Sequence, residues 1–132
     1  MDAVIRIEQL SYTYGNRSAP TLSQISLTIR QGEFVLITGP TGCGKSTLLK
    51  TLNGLIPHES GGEMTGTVYI AGNDTRQAKI AELSRTVGIV FQSPDDQIFS
   101  ASVEDETAFV LENMALPAGE IKARVAAALG MV

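Results

Sequence analysis

Phe34-Val35-Leu36-Ile37-Thr38-Gly39-Pro40-Thr41-Gly42-Cys43-Gly44-Lys45-Ser46-Thr47-Leu48-Leu49 is the stretch on which the reading of this chain turns. Its first four residues are continuously apolar, which predicts a strand buried on both faces in a parallel sheet. Its last residues open a pattern in which Leu48, Leu49, Leu52, Leu55 and Ile56 recur at helical spacing. Between strand and helix, Gly39, Gly44, Lys45 and Ser46 satisfy G-x-x-x-x-G-K-[ST].

Each residue type in that pattern has a mechanical reason. Glycines let the backbone curl so that successive N–H groups converge on an anion, and the positive end of the following helix dipole adds to the attraction. Lys45 supplies a point charge for β- and γ-phosphates, and Ser46 a hydroxyl for a Mg²⁺ ion bridging the same oxygens. Thr47 lies on the α-phosphate side. Gly39, Pro40, Thr41, Gly42, Cys43, Gly44, Lys45, Ser46 and Thr47 are therefore the candidate site for ATP and Mg²⁺. The plainer alternative is a glycine turn with a surface lysine, and the strand before and helix after weigh against it. Cys43 has two readings, a small residue tolerated beside phosphate or a thiol activated at the helix N-terminus.

Outward from the loop toward the N-terminus, Ile5 and Ile7 alternate with Arg6 and Glu8, and Ile25, Leu27 and Ile29 alternate with Ser26, Thr28 and Arg30. A period of two predicts half-buried strands. Gly15-Asn16-Arg17-Ser18-Ala19-Pro20 joins them as a turn or loop. Outward toward the C-terminus, Gly54 to Gly66 reads as a surface connection, Val68 and Ile70 as a short strand ending at Gly72-Asn73-Asp74, and Ala78 to Arg85 as a modest helix. Val87 to Phe91 is a second apolar strand, broken by Ser93-Pro94-Asp95-Asp96. Val103 to Met114 and Ile121 to Leu129 read as helices separated by Pro117 and Gly119, with Ile121, Val125 and Leu129 on one face.

The bulk properties bound the function. The 132 residues are 43% hydrophobic and 18% charged, as in a soluble globular segment of about one domain. A net charge of −4 leaves no cationic excess to neutralise a phosphate backbone, so nucleic acid is not an expected partner. No apolar run reaches the roughly 18 residues that span a bilayer, and Arg6 interrupts the opening apolar residues where a secretory leader would continue. A cytoplasmic protein that meets the membrane only through another subunit is expected. The single cysteine cannot form an internal disulfide.

Several separated elements together resemble the nucleotide-binding domains of ABC transporters, over essentially the whole chain. Leu10-Ser11-Tyr12-Thr13-Tyr14-Gly15 is similar to the segment whose aromatic stacks on adenine, with Tyr14 at the matching position. Leu22 to Ile29 followed by Gly32-Glu33-Phe34 resembles the family's approach to its phosphate loop. Val87-Gly88-Ile89-Val90-Phe91-Gln92 resembles the Q-loop strand, and Gln92 matches the glutamine that reaches Mg²⁺ and the attacking water. Ser93 through Asn113 looks most like the energy-coupling-factor branch, whose ATPases drive uptake of vitamins or of cobalt and nickel ions.

The resemblance implies an α/β P-loop NTPase fold with an incomplete core. In it, 1–33 and 64–72 form an antiparallel β part, 34–56 and 86–92 a core around the phosphate loop, and 93–132 the beginning of a helical subdomain. It implies Lys45 and Gln92 as catalytic residues and Ser46 and Gln92 as Mg²⁺ ligands. It also implies a second ATPase subunit and a transmembrane subunit, the latter met just after Gln92. No basic residue lies between Arg85 and Lys122, while Asp95, Asp96, Glu104, Asp105, Glu106, Glu112 and Glu120 are acidic. That face is either simply solvated or complementary to a basic helix of the membrane subunit. Arg6 and Arg17 read as solvated charges, and His58 as a surface loop residue.

The family pattern continues with an LSGGQ-like signature, an apolar strand ending in Asp-Glu and a switch histidine, none of which occurs up to Val132. On that basis these residues are expected to bind nucleotide with little or no turnover, as part of a longer ATPase. An importer subunit is the leading expectation. A soluble ABC ATPase without a transport role and a non-hydrolysing nucleotide-binding fragment are its rivals.

Overall fold

A computed structural model describes residues 3–132, which form two compact units dividing between Ile89 and Val90. The first unit is built on an antiparallel sheet of β1 (Ala3–Thr13), β2 (Leu22–Arg30), β3 (Glu63–Ile70) and β4 (Asn73–Asp74), in the order β2-β1-β3-β4. Three helices belong to it: α1 (Lys45–Leu52), α2 (Leu55–His58) and α3 (Ile80–Leu83). The second unit holds a short 3₁₀ turn at Pro94–Gln97, α4 (Val103–Asn113) and α5 (Ala118–Leu129).

The central strand β1 shows how its side chains find the core. Ile5 and Ile7 point inward on odd positions, whereas Leu10 and Tyr12 do so on even ones. The change of parity occurs at Gln9, which sits at φ +50° as an extra residue where the pairing to β2 and β3 shifts register. In β2, Gln24 at φ +50° plays the same part between inward Leu22 and inward Ile25. Each bulge leaves an amide without its ladder partner. The Gln9 N–H donates to Ser26 Oγ at 3.0 Å, and the Gln24 N–H to Ser11 Oγ at 2.9 Å. The two strands thus satisfy each other's defects reciprocally.

The sheet's apolar face packs on the helices through Ile7, Leu10, Tyr12, Leu22, Leu48, Ile56, Val68, Ile70 and Leu83, all buried. Tyr12 is fully buried, and its hydroxyl donates to the Gly61 carbonyl at 2.8 Å. Burial, with the neighbouring Tyr14 phenol adding to it, pushes the Tyr12 phenol above its ordinary pKa.

Two expectations are corrected. Phe34–Ile37 forms no ladder and is not buried, with Phe34 95% and Leu36 76% exposed. Val87–Phe91 likewise pairs with nothing, and Val90 is 80% exposed. A continuous apolar run becomes a doubly buried strand only when strands flank it. Among the described residues every ladder belongs to the antiparallel sheet, so neither segment has a partner. The helical run after the phosphate loop is also shorter than its spacing suggested. α1 stops at Leu52, and Gly54 at φ +80° separates it from α2.

In the second unit, Ser102 caps α4 by accepting the Asp105 N–H at 3.1 Å, and Glu104, Asp105 and Glu106 lie in the first turn, where the dipole favours acids. Glu106 accepts the Phe99 and Ser100 amides at 3.0 and 2.7 Å, and those bonds hold its carboxyl below the usual glutamate pKa. α5 begins at Ala118, earlier than the spacing of Ile121, Val125 and Leu129 suggested, and of these three Val125 is the buried one. No helix among the described residues is long and apolar enough to cross a membrane.

Candidate phosphate-binding site

The loop from Gly39 to Gly44 enters α1 through a left-handed residue. Gly44 is the N-cap at φ +105°, and no side chain caps the helix. A Cβ at Gly44 would lie 2.9 Å from the Thr21 carbonyl and 3.0 Å from Leu22 Cδ2, so both the dihedral and the space require glycine. The Leu48 N–H donates to Gly44 O at 2.9 Å and starts the ladder, while the amides of Lys45, Ser46 and Thr47 make no hydrogen bond among the described residues. They are orphan donors at the positive end of a helix, which suits an anion.

Lys45 does not extend into solvent. Its ammonium donates to the carbonyls of Gly39 at 2.7 Å and Pro40 at 2.9 Å, and lies 3.6 Å from Cys43 Sγ. A positive charge is thereby held across the loop, next to the free amides. Ser46 is exposed, and Thr47 is buried. The Thr47 Oγ1 lies 3.1 Å from the Tyr14 hydroxyl, a hydrogen bond joining the end of the β1 segment to the first turn of α1. Tyr14 and the phosphate loop, quoted separately from the sequence, therefore meet in space.

Tyr14 is half-buried, with the Tyr12 ring edge-on at 4.8 Å between centroids. Arg17 is exposed, as expected of a solvated charge, but its position is set. The Arg17 N–H donates to Tyr14 O at 2.9 Å, closing a turn that brings its guanidinium over the Tyr14 ring, 5.9 Å from the centroid. Arg6 is likewise engaged, paired with Glu8 and set 4.3 Å over the Tyr69 ring. His58 Nε2 lies 2.8 Å from the Thr75 carbonyl and tethers α2 to the segment after β4. Nothing in the spacing of the chain signalled these three contacts: Arg17 meets Tyr14 through a tight turn, Arg6 faces Tyr69 across the β1–β3 pairing, and His58 meets Thr75 where two connections pack.

Gln92 belongs to the second unit. It is exposed, and its side chain makes no hydrogen bond among the described residues. The neighbouring Phe91 N–H donates to Gln97 Oε1 at 3.0 Å, which ties the 3₁₀ turn to the residues just before it. Elsewhere in the first unit, an open concavity of about 680 Å³ is lined by Tyr69, Asp74, Gln77, Glu82 and Thr86. Its carboxylates are already engaged. Burial works against Asp74, but the hydrogen bonds and charge of Arg76 outweigh it and hold its carboxyl below the usual range. Glu82 accepts the Lys79 amide.

The sequence matches the ABC transporter family over residues 22–132. It is 60% identical over 129 residues to a Methanosarcina acetivorans protein described as an ABC transporter ATP-binding protein, covering 98% of this chain and 20% of that one. A Pyrococcus abyssi protein of the same description is 46% identical over 129 residues, with 98% and 46% covered. The solved structure of cbiO1 from Clostridium perfringens, part of the ABC transporter complex cbiONQ, has a TM-score of 0.82 and 36% identity, covering 98% of this chain and 50% of that one. The chain thus spans half or less of the length of these relatives. A glycine-started helix with free amides, the lysine across the loop and these likenesses agree: the chain belongs to the ABC transporter family, in its ATP-binding domain.

Proposed function

We propose that Gly39 to Thr47 binds the phosphates of ATP, and that the whole protein uses ATP hydrolysis to drive an importer. The observation that carries the binding reading is the set of free amides at Lys45, Ser46 and Thr47 beside a fixed ammonium. The amides and Lys45 would hold the β- and γ-phosphates, and the exposed hydroxyl of Ser46 would be a ligand for Mg²⁺. When bound, Mg²⁺ offsets charge that develops on the phosphate oxygens during transfer. Tyr14 would stack on the base, its ring fixed by the bond to Thr47.

Calorimetry on the chain tests this. ATP is expected to bind, tripolyphosphate to compete and adenosine to fail. Adenosine binding as well as ATP would refute a phosphate-led site.

The likeness to cbiO1, itself part of a cbiONQ complex, supports an energy-coupling-factor importer, with a second ATPase subunit and a membrane subunit as partners. Within the second unit, Ile98, Phe99, Val103, Phe109 and Val110 are exposed beside Asp95, Asp96, Glu104 and Asp105, and the Phe99 and Phe109 rings stack at 6.0 Å. An apolar surface rimmed by acids suits a basic amphipathic helix of the membrane subunit. On this reading the protein sits on the cytoplasmic face of the membrane through its partner. Asp95→Lys with Asp96→Lys in the full-length protein should release the membrane subunit while ATP binding survives. An intact complex would count against that docking surface.

A further inference from the structure

Arg17 is exposed, and among the described residues it forms no ion pair, although the chain carries more acids than bases. Its position is nonetheless set. The turn closed by its own amide on Tyr14 O returns the side chain over the Tyr14 ring. That ring is pinned at its hydroxyl by Thr47 and at its side by Tyr12, so it offers a fixed platform at the edge of the phosphate loop.

The separation is informative. Arg6 rests on Tyr69 at 4.3 Å, a close cation–π contact, whereas Arg17 stands 5.9 Å from the Tyr14 centroid, near the outer limit of about 6 Å for such attraction. A planar base between two stacking partners needs two layers of about 3.5 Å, or about 7 Å in all. Arg17 is a long exposed side chain, so a rotamer adjustment of its guanidinium opens that space over the Tyr14 ring. Both partners suit the task, because bases stack on aromatic rings and on guanidinium planes alike.

We propose that Arg17 is the second wall of the base site, and that the purine of the bound nucleotide lies between the Tyr14 ring and the Arg17 guanidinium. The inference rests on Tyr14 as the base-stacking residue. It assigns Arg17 to the base rather than to the phosphates, which the amides and Lys45 serve.

The test measures binding of ATP and of tripolyphosphate, which has no base, to the unaltered chain and to Arg17→Ala, Arg17→Lys, Tyr14→Ala and the Tyr14→Ala/Arg17→Ala pair. Arg17→Ala should weaken ATP roughly three- to tenfold and leave tripolyphosphate within about twofold. Arg17→Lys should recover less than half of the loss, because it keeps the charge and loses the plane. In the Tyr14→Ala background, Arg17→Ala should add little. Unchanged ATP binding in Arg17→Ala with weakened binding in Tyr14→Ala would overturn the role of Arg17 and leave Tyr14 standing. Unchanged binding in both would overturn the base-stacking reading itself. Equal losses for ATP and tripolyphosphate would make Arg17 a general electrostatic aid and overturn the proposal.

Discussion

Replacing Gly44 by alanine tests the geometry of the phosphate loop, and Gly42→Ala supplies its control. Both glycines have positive φ, +105° at Gly44 and +83° at Gly42. An L-residue held in that region costs about 1–2 kcal/mol, so both variants carry a conformational term. They differ in space. A Cβ at Gly42 meets nothing within 4 Å, whereas at Gly44 it meets the Thr21 carbonyl at 2.9 Å and Leu22 Cδ2 at 3.0 Å. Neither neighbour yields easily, because the Thr21 N–H is bonded to Tyr12 O at 2.8 Å and Leu22 is a buried core residue. Overpacking of this kind costs about 1–3 kcal/mol. Gly44→Ala should therefore lose about 2–5 kcal/mol and Gly42→Ala about 1–2 kcal/mol. In urea unfolding followed by circular dichroism, with a slope of about 1–3 kcal/mol per molar, the two midpoints should differ by about 1 M. Equal midpoints would refute the packing argument and with it the anchored start of α1.

Two further outcomes are expected. Glu106 has a lowered pKa in the folded protein, so its amide bonds contribute stability above the unfolded glutamate pKa and are lost as pH falls through the folded value; the Phe99 and Ser100 amide resonances should titrate together below the ordinary glutamate range, and a midpoint at or above it would contradict those bonds. Phe34→Glu with Leu36→Glu should leave the chain's unfolding free energy within about 0.5 kcal/mol, because both side chains are exposed, and should reduce concentration-dependent light scattering; a large destabilisation would mean that these residues pack after all.

The phosphate loop was legible because its spacing is a local property, and local geometry is what a chain encodes most directly. The antiparallel strands were legible for the same reason, through the alternation at Ile5 and Ile7 and from Ile25 to Ile29. The bulges were not read from the sequence, because the slip of parity from Ile7 to Leu10 has meaning only once a partner strand fixes the register. Phe34–Ile37 shows the opposite failure. Its composition describes an environment, burial between two strands, which no described residue supplies. Among the site residues, Tyr14 and Thr47 were quoted for separate reasons and prove to touch, whereas Arg17 was set aside as a surface charge. Its place over Tyr14 comes from a turn, and turns bring side chains together without leaving a periodic trace.

The two carbonyl bonds of Lys45 have a consequence for how the loop chooses what enters it. The ammonium is already satisfied by Gly39 and Pro40, so entry is an exchange of acceptors, not the filling of a space. A neutral hydroxyl offers nothing better than a peptide oxygen. The carbonyl bonds are already charge-assisted by the ammonium, and an anionic oxygen adds to such a bond the Coulomb attraction of a second full charge, so it wins the exchange. The same bonds tie the first residues of the loop to its last, so removing the Lys45 amine also unfastens the loop. A Lys45 variant that fails to bind would report both losses at once.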